Sequence, residues 1–237
     1  MRQTAWLPLL PLWLAAAGCN VAGQGTPGST SAPPADVPAV EARLLNATSL
    51  ELRFRVTSAG AFTADLAGTL RLEQDPAGPQ RVELAADGTF GEDAVTVRLD
   101  AAGDTMAGGA AQRRFSEPVP DALWPALALG LTRMGILHNL ARLTAGLPPD
   151  HASGGVAEWV ELSDVRQDEE ASDDARVAWR FDIIVAGSRT AEATLWLDRA
   201  TGLPLERRQV VTFPGGEMTV TETYDFVQVT GPMPGGR

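Results

Sequence analysis

Few side chains in this 237-residue chain carry nucleophilic or metal-binding chemistry. There is one cysteine, Cys19, and there are two histidines, His138 and His151. A lone thiol forms no intrachain disulfide, so the fold must rest on an apolar core. All 19 basic residues are arginine. Without lysine there is no P-loop lysine, no Schiff base and no Ser-x-x-Lys dyad. His-Glu-x-x-His, Gly-x-Ser-x-Gly and Cys-x-x-Cys do not occur. The literal Gly-x-Gly-x-x-Gly at Gly23 to Gly28 contains Pro27, follows no strand and opens no helix, so it is no dinucleotide fingerprint. The acidic run Asp168-Glu169-Glu170 with Asp173 and Asp174 lacks the central glycine of a calcium loop and reads as a solvated hairpin loop. No metal and no cofactor is expected. A carboxylate pair is the remaining catalytic option, and nothing in the spacing points to one, so the chain reads as a non-enzyme. The net charge of −11 argues against nucleic acid and against charge-driven binding to an anionic membrane.

The position of Cys19 gives its thiol a more specific chemistry. Arg2 supplies a positive start, and the 13 residues Ala5 to Ala17 are apolar, a secretory length too short to span a bilayer. Small residues lead into Gly18-Cys19. The pattern resembles a bacterial lipobox, which implies diacylation of the Cys19 sulfur. Ala16 stands where that pattern usually has leucine, and Leu14 lies two residues further back. Ordinary secretion with cleavage after Ala15-Ala16-Ala17 is the alternative, leaving a free thiol. Residues 1–18 are therefore read as a lipoprotein signal peptide. Residues 19–36, rich in Gly, Ser, Thr, Pro and Ala, read as a flexible tether with a reach of roughly 20–25 Å. The expected address is the cell envelope, lipid-anchored and facing the periplasm or exterior. Asn20, in place of the Asp that marks inner-membrane retention, favours the outer membrane.

Downstream, one domain is expected over residues 37–230, with a disordered tail at 231–237. Asp36 suits a helix N-cap, with Pro38 in the first turn and Glu41 as an early acidic residue, for a helix reaching about Ser49. The period then switches from 3.6 to 2. Alternation at Leu50–Val56, Phe62–Leu72, Val82–Leu84 and Val95–Leu99, with a turn at Asp87-Gly88, predicts four or five antiparallel strands with one wet face. Residues 120–146 interrupt the strands. Asp121 can cap a helix from Ala122 to Leu137 that is apolar nearly all round, hence buried or covering something apolar. A final turn from Leu140 ends at Gly146. Gly130 and Gly135 are read as packing or hinge positions. Five more strands follow, over Val156–Val165, Val177–Val185, Ala191–Leu197, Leu205–Phe213 and Glu217–Val229. The fold class is α+β: a single curved antiparallel sheet of about 10–11 strands forming an unclosed half-barrel. An N-terminal helix and the apolar helical insertion cover its open side.

Thr194-Leu195-Trp196-Leu197-Asp198-Arg199-Ala200-Thr201-Gly202-Leu203-Pro204-Leu205, followed by a strand, a Pro-Gly-Gly turn and Thr219 to Phe226, resembles the lipoprotein-carrier superfamily. That group comprises LolA/LolB-like and LppX/LprG-like half-barrel lipoproteins. Locally, Asp198 and Gly202 also suit any hairpin turn, and Pro204 any strand start. The resemblance implies a membrane-anchored protein that binds or transfers the acyl chains of a lipid or lipoprotein in an apolar cavity. It carries no catalytic residue. Candidate lining residues are Phe54, Leu66, Leu70, Val97, Trp124, Leu127, Leu131, Trp179, Phe181, Leu195, Val220 and Tyr224; the nine on strands equally fit an ordinary packed core, and the unusually apolar helix around Leu123, Trp124, Leu127, Leu131 and Met134 tips the balance towards a cavity. Glu222 shares the inner face with Val220 and Tyr224, where it orients a headgroup, pairs with an arginine such as Arg207, or sits at an exposed edge. The alternative function is a lipid-anchored structural or protein-interaction module with a packed core and no ligand. The protein partner is unknown.

Overall fold

The computed structural model describes residues 36–74, 80–111, 113–150, 156–213 and 215–231. Cys19, the signal peptide, all of the tether before Asp36, His151 and residues 232–237 lie outside them. Helix α1 (Val37–Leu45) starts where the sequence places it: Asp36 Oδ1 accepts the Ala39 N–H at 2.8 Å. It stops four residues before Ser49. The Asn46 side chain and N–H both donate to the Ala42 carbonyl, and Ser49 already pairs with Glu73 and Thr230.

Six strands follow, β1 (Ser49–Gly60), β2 (Ala64–Gln74), β3 (Gln80–Phe90), β4 (Asp93–Ala102), β5 (Thr105–Ala110) and β6 (Arg113–Pro118), one or two more than expected. The insertion forms α2 (Leu123–Ala128), a 3-10 turn (Leu129–Leu131) and α3 (Ile136–Thr144). A one-turn helix α4 (Val156–Trp159) precedes β7 (Val160–Asp168), so that strand begins later than the alternation suggested. Then come β8 (Arg176–Val185), β9 (Ser188–Asp198), β10 (Pro204–Phe213) and β11 (Gly216–Thr230). All eleven strands make one antiparallel sheet in the order β6-β5-β4-β3-β2-β1-β11-β10-β9-β8-β7. β6 and β7 are its edges, so the sheet does not close on itself.

Curvature follows from simple distances. The start of α3 is bonded to β11 through Glu222, and Gly146, just past its end, packs on the backbone of Arg113 in β6. Ten helical residues span about 15 Å. Six strand spacings separate β6 from β11, about 29 Å across a flat sheet. The sheet must curl around the helix. Its inner face carries the alternating buried residues, from Leu50, Leu52, Phe54 and Val56 on β1 to Ala191, Ala193, Leu195 and Leu197 on β9. Its outer face carries exposed Arg–Asp and Arg–Glu pairs such as Arg55–Asp65 and Arg189–Asp182.

The expected turn at Asp87-Gly88 is instead continuous strand. Asp87 pairs with Ala67 and Thr96, Gly88 with Leu66 and Val95, and the chain reverses after Phe90↔Asp93. The glycine is there because the two backbones approach closely. At φ +150°, a Cβ would lie 2.0 Å from the Asp65 carbonyl oxygen. The Asp198–Gly202 hairpin does form: Asp198 accepts from Thr201 and Gly202, and Gly202 takes φ +67°. Likewise Asp168 and Asp173 organise the acidic β7–β8 loop by accepting backbone N–H groups. Gly88→Ala should therefore lower unfolding stability by more than about 2 kcal/mol, as strain and backbone clash combine. Urea denaturation of the purified protein reads this; an unchanged midpoint would mean that the β2 and β3 backbones do not approach closely at that position.

Candidate functional site

The apolar run Leu123–Leu137 is not one helix. No side chain caps α2, whose N-cap is Ala122 rather than Asp121, and the chain breaks between Thr132 and Gly135. Gly135 takes φ +82° and donates its N–H to the Gly130 carbonyl at 2.6 Å. A Cβ at Gly135 would fall 2.5 Å from Glu222 Oε1 and 2.8 Å from Arg207 Nη1, so the break closes down onto two side chains of the sheet.

Those two face each other across the β10–β11 ladder and are wholly buried. Glu222 accepts the N–H groups of Ile136 at 3.1 Å and Leu137 at 3.0 Å, and the Tyr224 hydroxyl. The first N–H groups of a helix have no intrahelical partner and carry its positive end, so a carboxylate fits there. Arg207 donates to the carbonyls of Thr132 at 3.2 Å and Arg133 at 2.5 Å, and to Gln209 Oε1 at 2.7 Å. Its Nη1 is buried with no hydrogen-bond partner among the described residues. An anion thus caps the start of α3 and a cation caps the turn before it. Glu222 is inward and stands opposite Arg207, the arginine named for it from the sequence, and the hydrogen bonds it accepts are from the helix and Tyr224.

A second tie secures the same turn to α1. Arg133 binds Glu41 through Nε to Oε1 at 2.8 Å and Nη2 to Oε2 at 2.9 Å, and its Nη1 reaches the Val160 carbonyl at 2.7 Å. Thr132 Oγ1 donates to Glu41 Oε1 at 2.9 Å. Glu41 is therefore not the dipole-facing acid of a first turn but a buried ion-pair partner. Trp124 Nε1 joins α2 to α1 at the Leu44 carbonyl, 3.2 Å away.

Beside α3 the cover leaves an apolar groove of about 350 Å³. Met134, Leu137, His138 and Ala141 form one wall; Gln209, Val211 and Met218 form another, and Phe62 and Phe90 a third. The Phe62 and Phe90 rings meet at a tilt of 55° with centroids 4.5 Å apart. Gln209 Nε2 is held by the Met134 carbonyl at 3.4 Å. His138 packs on Trp159, and its Nε2 lies 3.4 Å from Asp150 Oδ2. Burial lowers the His138 pKa against the opposing pull of Asp150, so the imidazole is neutral at pH 7.

Eleven of the twelve sequence-predicted lining residues lie in the packed interior between sheet and helices, none more than 4% exposed. Trp179 is half-buried against the same core. None of the twelve is among the groove residues. The groove was missed because its walls come from a helix break, a hairpin end and strand ends, where no periodicity marks a face. The readable signal was Gly135, which divides an otherwise continuous helical pattern.

No family model matches the chain, and no curated protein matches it. Among solved structures, the chain is similar to LprF from Mycobacterium bovis, with 14% identity, 85% of this chain and 99% of that chain covered, and a TM-score of 0.34. It is similar to a DUF1329 family protein from Desulfovibrio piger, with 7% identity, 83% and 90% coverage and a TM-score of 0.34. A LolA superfamily protein from Nitrosomonas europaea has 8% identity, 84% and 96% coverage and a TM-score of 0.27.

Tyr224 gives a direct probe of the buried cluster, because it is the chain's single tyrosine. Desolvation first, then the Glu222 charge, raises its pKa well above 10.0. A raised acid favours its protonated form in the fold. Its stabilisation is thus complete below about pH 10, the unfolded value, and is lost as pH rises above it. Tyrosinate absorbance near 295 nm should stay flat through pH 10 and rise only with unfolding. A reversible titration at the ordinary phenol value, with the fold intact, would contradict the burial.

Proposed function

We propose that this protein is a lipid-anchored protein of the cell envelope that binds the acyl portion of a lipid, and that it is not an enzyme. The observation that carries this reading is the apolar groove beside α3, whose volume is within the range of about 300–1,000 Å³ of small-molecule sites. Each methylene moved from water into such a groove gains roughly 0.8 kcal/mol. The flexible thioethers of Met134 and Met218 adapt to a chain without fixed shape. Below the groove, the inner-face residues from Phe54 to Tyr224 named above would extend the lining wherever α3 lifts from the sheet.

The anchor belongs to the same proposal. Residues 1–18 are removed, Cys19 is acylated and the segment up to residue 36 is the tether, with the outer membrane as the favoured location. Cys19→Ser should move the protein from the membrane fraction to the soluble periplasmic fraction on envelope fractionation. Its retention on membranes would remove the anchor from the account.

Acyl binding is tested on the purified protein with a pyrene-labelled monoacylglycerol. Saturable binding is expected, together with acyl species recovered by solvent extraction and mass spectrometry. Ala141→Trp fills the groove from a half-buried position and should weaken binding at least tenfold, about 1.4 kcal/mol, with little change in the thermal midpoint. The filled core favours a second reading, an anchored interaction module without a ligand. On that reading neither the wild type nor Ala141→Trp binds the probe, and extraction yields no lipid.

A further inference from the structure

We propose that the groove takes its acyl chain with an uncharged polar end, an ester or an alcohol, and discriminates against the ionised carboxylate of a free fatty acid. This rests on the acyl-binding reading above. Nine described residues line the groove, seven of them apolar, and none is an arginine. In a chain without lysine, arginine is the only strong cation available to meet an anionic end. Arg207, bonded to the groove residue Gln209, and Arg142, next in the chain to Ala141, are already committed elsewhere. Arg207 lies fully buried, bonded to the Thr132 and Arg133 carbonyls and the Gln209 side chain, with its Nη1, unpartnered among the described residues, closed off beneath Gly135. Arg142 donates to the Pro148 carbonyl at 2.6 Å and lies 3.6 Å from Asp150.

The polar groups that do line the groove are Gln209 and His138. The Gln209 amide is engaged at both ends, by Arg207 and by the Met134 carbonyl. His138 is neutral at pH 7, and its buried Nε2 lies against Asp150 Oδ2 at 3.4 Å. A neutral imidazole carries no charge to set against an anionic end. Neutralising a carboxylate is beyond it, and the nearest full charge beside it, Asp150, has the same sign as the fatty acid. An ionised end seated against this wall would lose its hydration with no counter-charge in return. An uncharged end loses far less. The net charge of −11 adds a weaker, salt-screened repulsion in the same direction.

Competition for the bound pyrene-labelled monoacylglycerol at pH 8 tests this, with monopalmitoylglycerol and palmitate each used below its micellar concentration. Monopalmitoylglycerol is expected to displace the probe at a concentration at least tenfold lower than palmitate. Met218→Arg places a cation on the groove wall and should narrow that ratio to about threefold or less by improving palmitate alone. Equal displacement by the two lipids in the wild type would overturn the charge argument and leave acyl binding standing. A ratio unaltered in folded Met218→Arg would overturn it as well. If the probe does not bind at all, the acyl reading falls and takes this inference with it.

Discussion

Two buried charges hold the cover on this sheet. Removing Arg207 and Glu222 from water costs several kcal/mol per ion, and a well-packed apolar pair would avoid that cost. The compensation is the set of backbone groups they satisfy. Where the helical run breaks, the Ile136 and Leu137 N–H groups and the Thr132 and Arg133 carbonyls lack helical partners while lying against an apolar sheet. An unsatisfied buried backbone group costs about 1–3 kcal/mol. Glu222 and Arg207 answer four such groups with charge-assisted bonds. Gly135 is then fixed as glycine, because any Cβ would enter the carboxylate. Gln209 and Tyr224 complete the network on the same strands, and the Glu41–Arg133 pair extends it to α1.

The curl of the sheet and the break in its cover together produce the groove. A nine-residue helix bonded to β11 at one end and reaching β6 beyond the other forces strands between them to wrap around it. The cover is too short to fill the mouth where Phe62, Phe90 and Met218 lie near the strand ends. The apolar interior therefore meets solvent there, beside a wall that carries no full charge.

Much of the sheet was legible as period-2 alternation, because one face had to be buried and every second residue shows it. The strands that escaped are informative. β5 reads Thr105-Met-Ala-Gly-Gly-Ala and β6 reads Arg113-Arg-Phe-Ser-Glu-Pro, with too little apolar bulk for a face to appear. They are strands because β4 and then each other offer ladders, a non-local cause. Asp87-Gly88 carries the composition of a hairpin turn, but close approach of β2, not chain reversal, demands the glycine. The helix break was hidden for a similar reason. Its cause, the Glu222–Arg207 pair, lies some 75 to 86 residues further along the chain. Alternation selects the residues deepest in a sheet, and so it led to the packed centre rather than to the groove, whose walls lie where regular elements end.

The filled interior and the open groove differ in what an occupant must disturb. A ligand in the groove leaves the Arg207–Glu222 network intact. A ligand between sheet and helices would first have to separate α3 and its preceding turn from β10 and β11, breaking the four bonds those charges make to the backbone. At about 1.5–3 kcal/mol for each bond to a charged group, that is roughly 6–12 kcal/mol. At about 0.8 kcal/mol per buried methylene, roughly 8 to 15 methylenes would match it. Only a long acyl chain reaches that scale; a short amphiphile or a few apolar side chains of a passing peptide do not. The same two charges that hold the cover in place thus set a threshold of chain length for anything that would lift it.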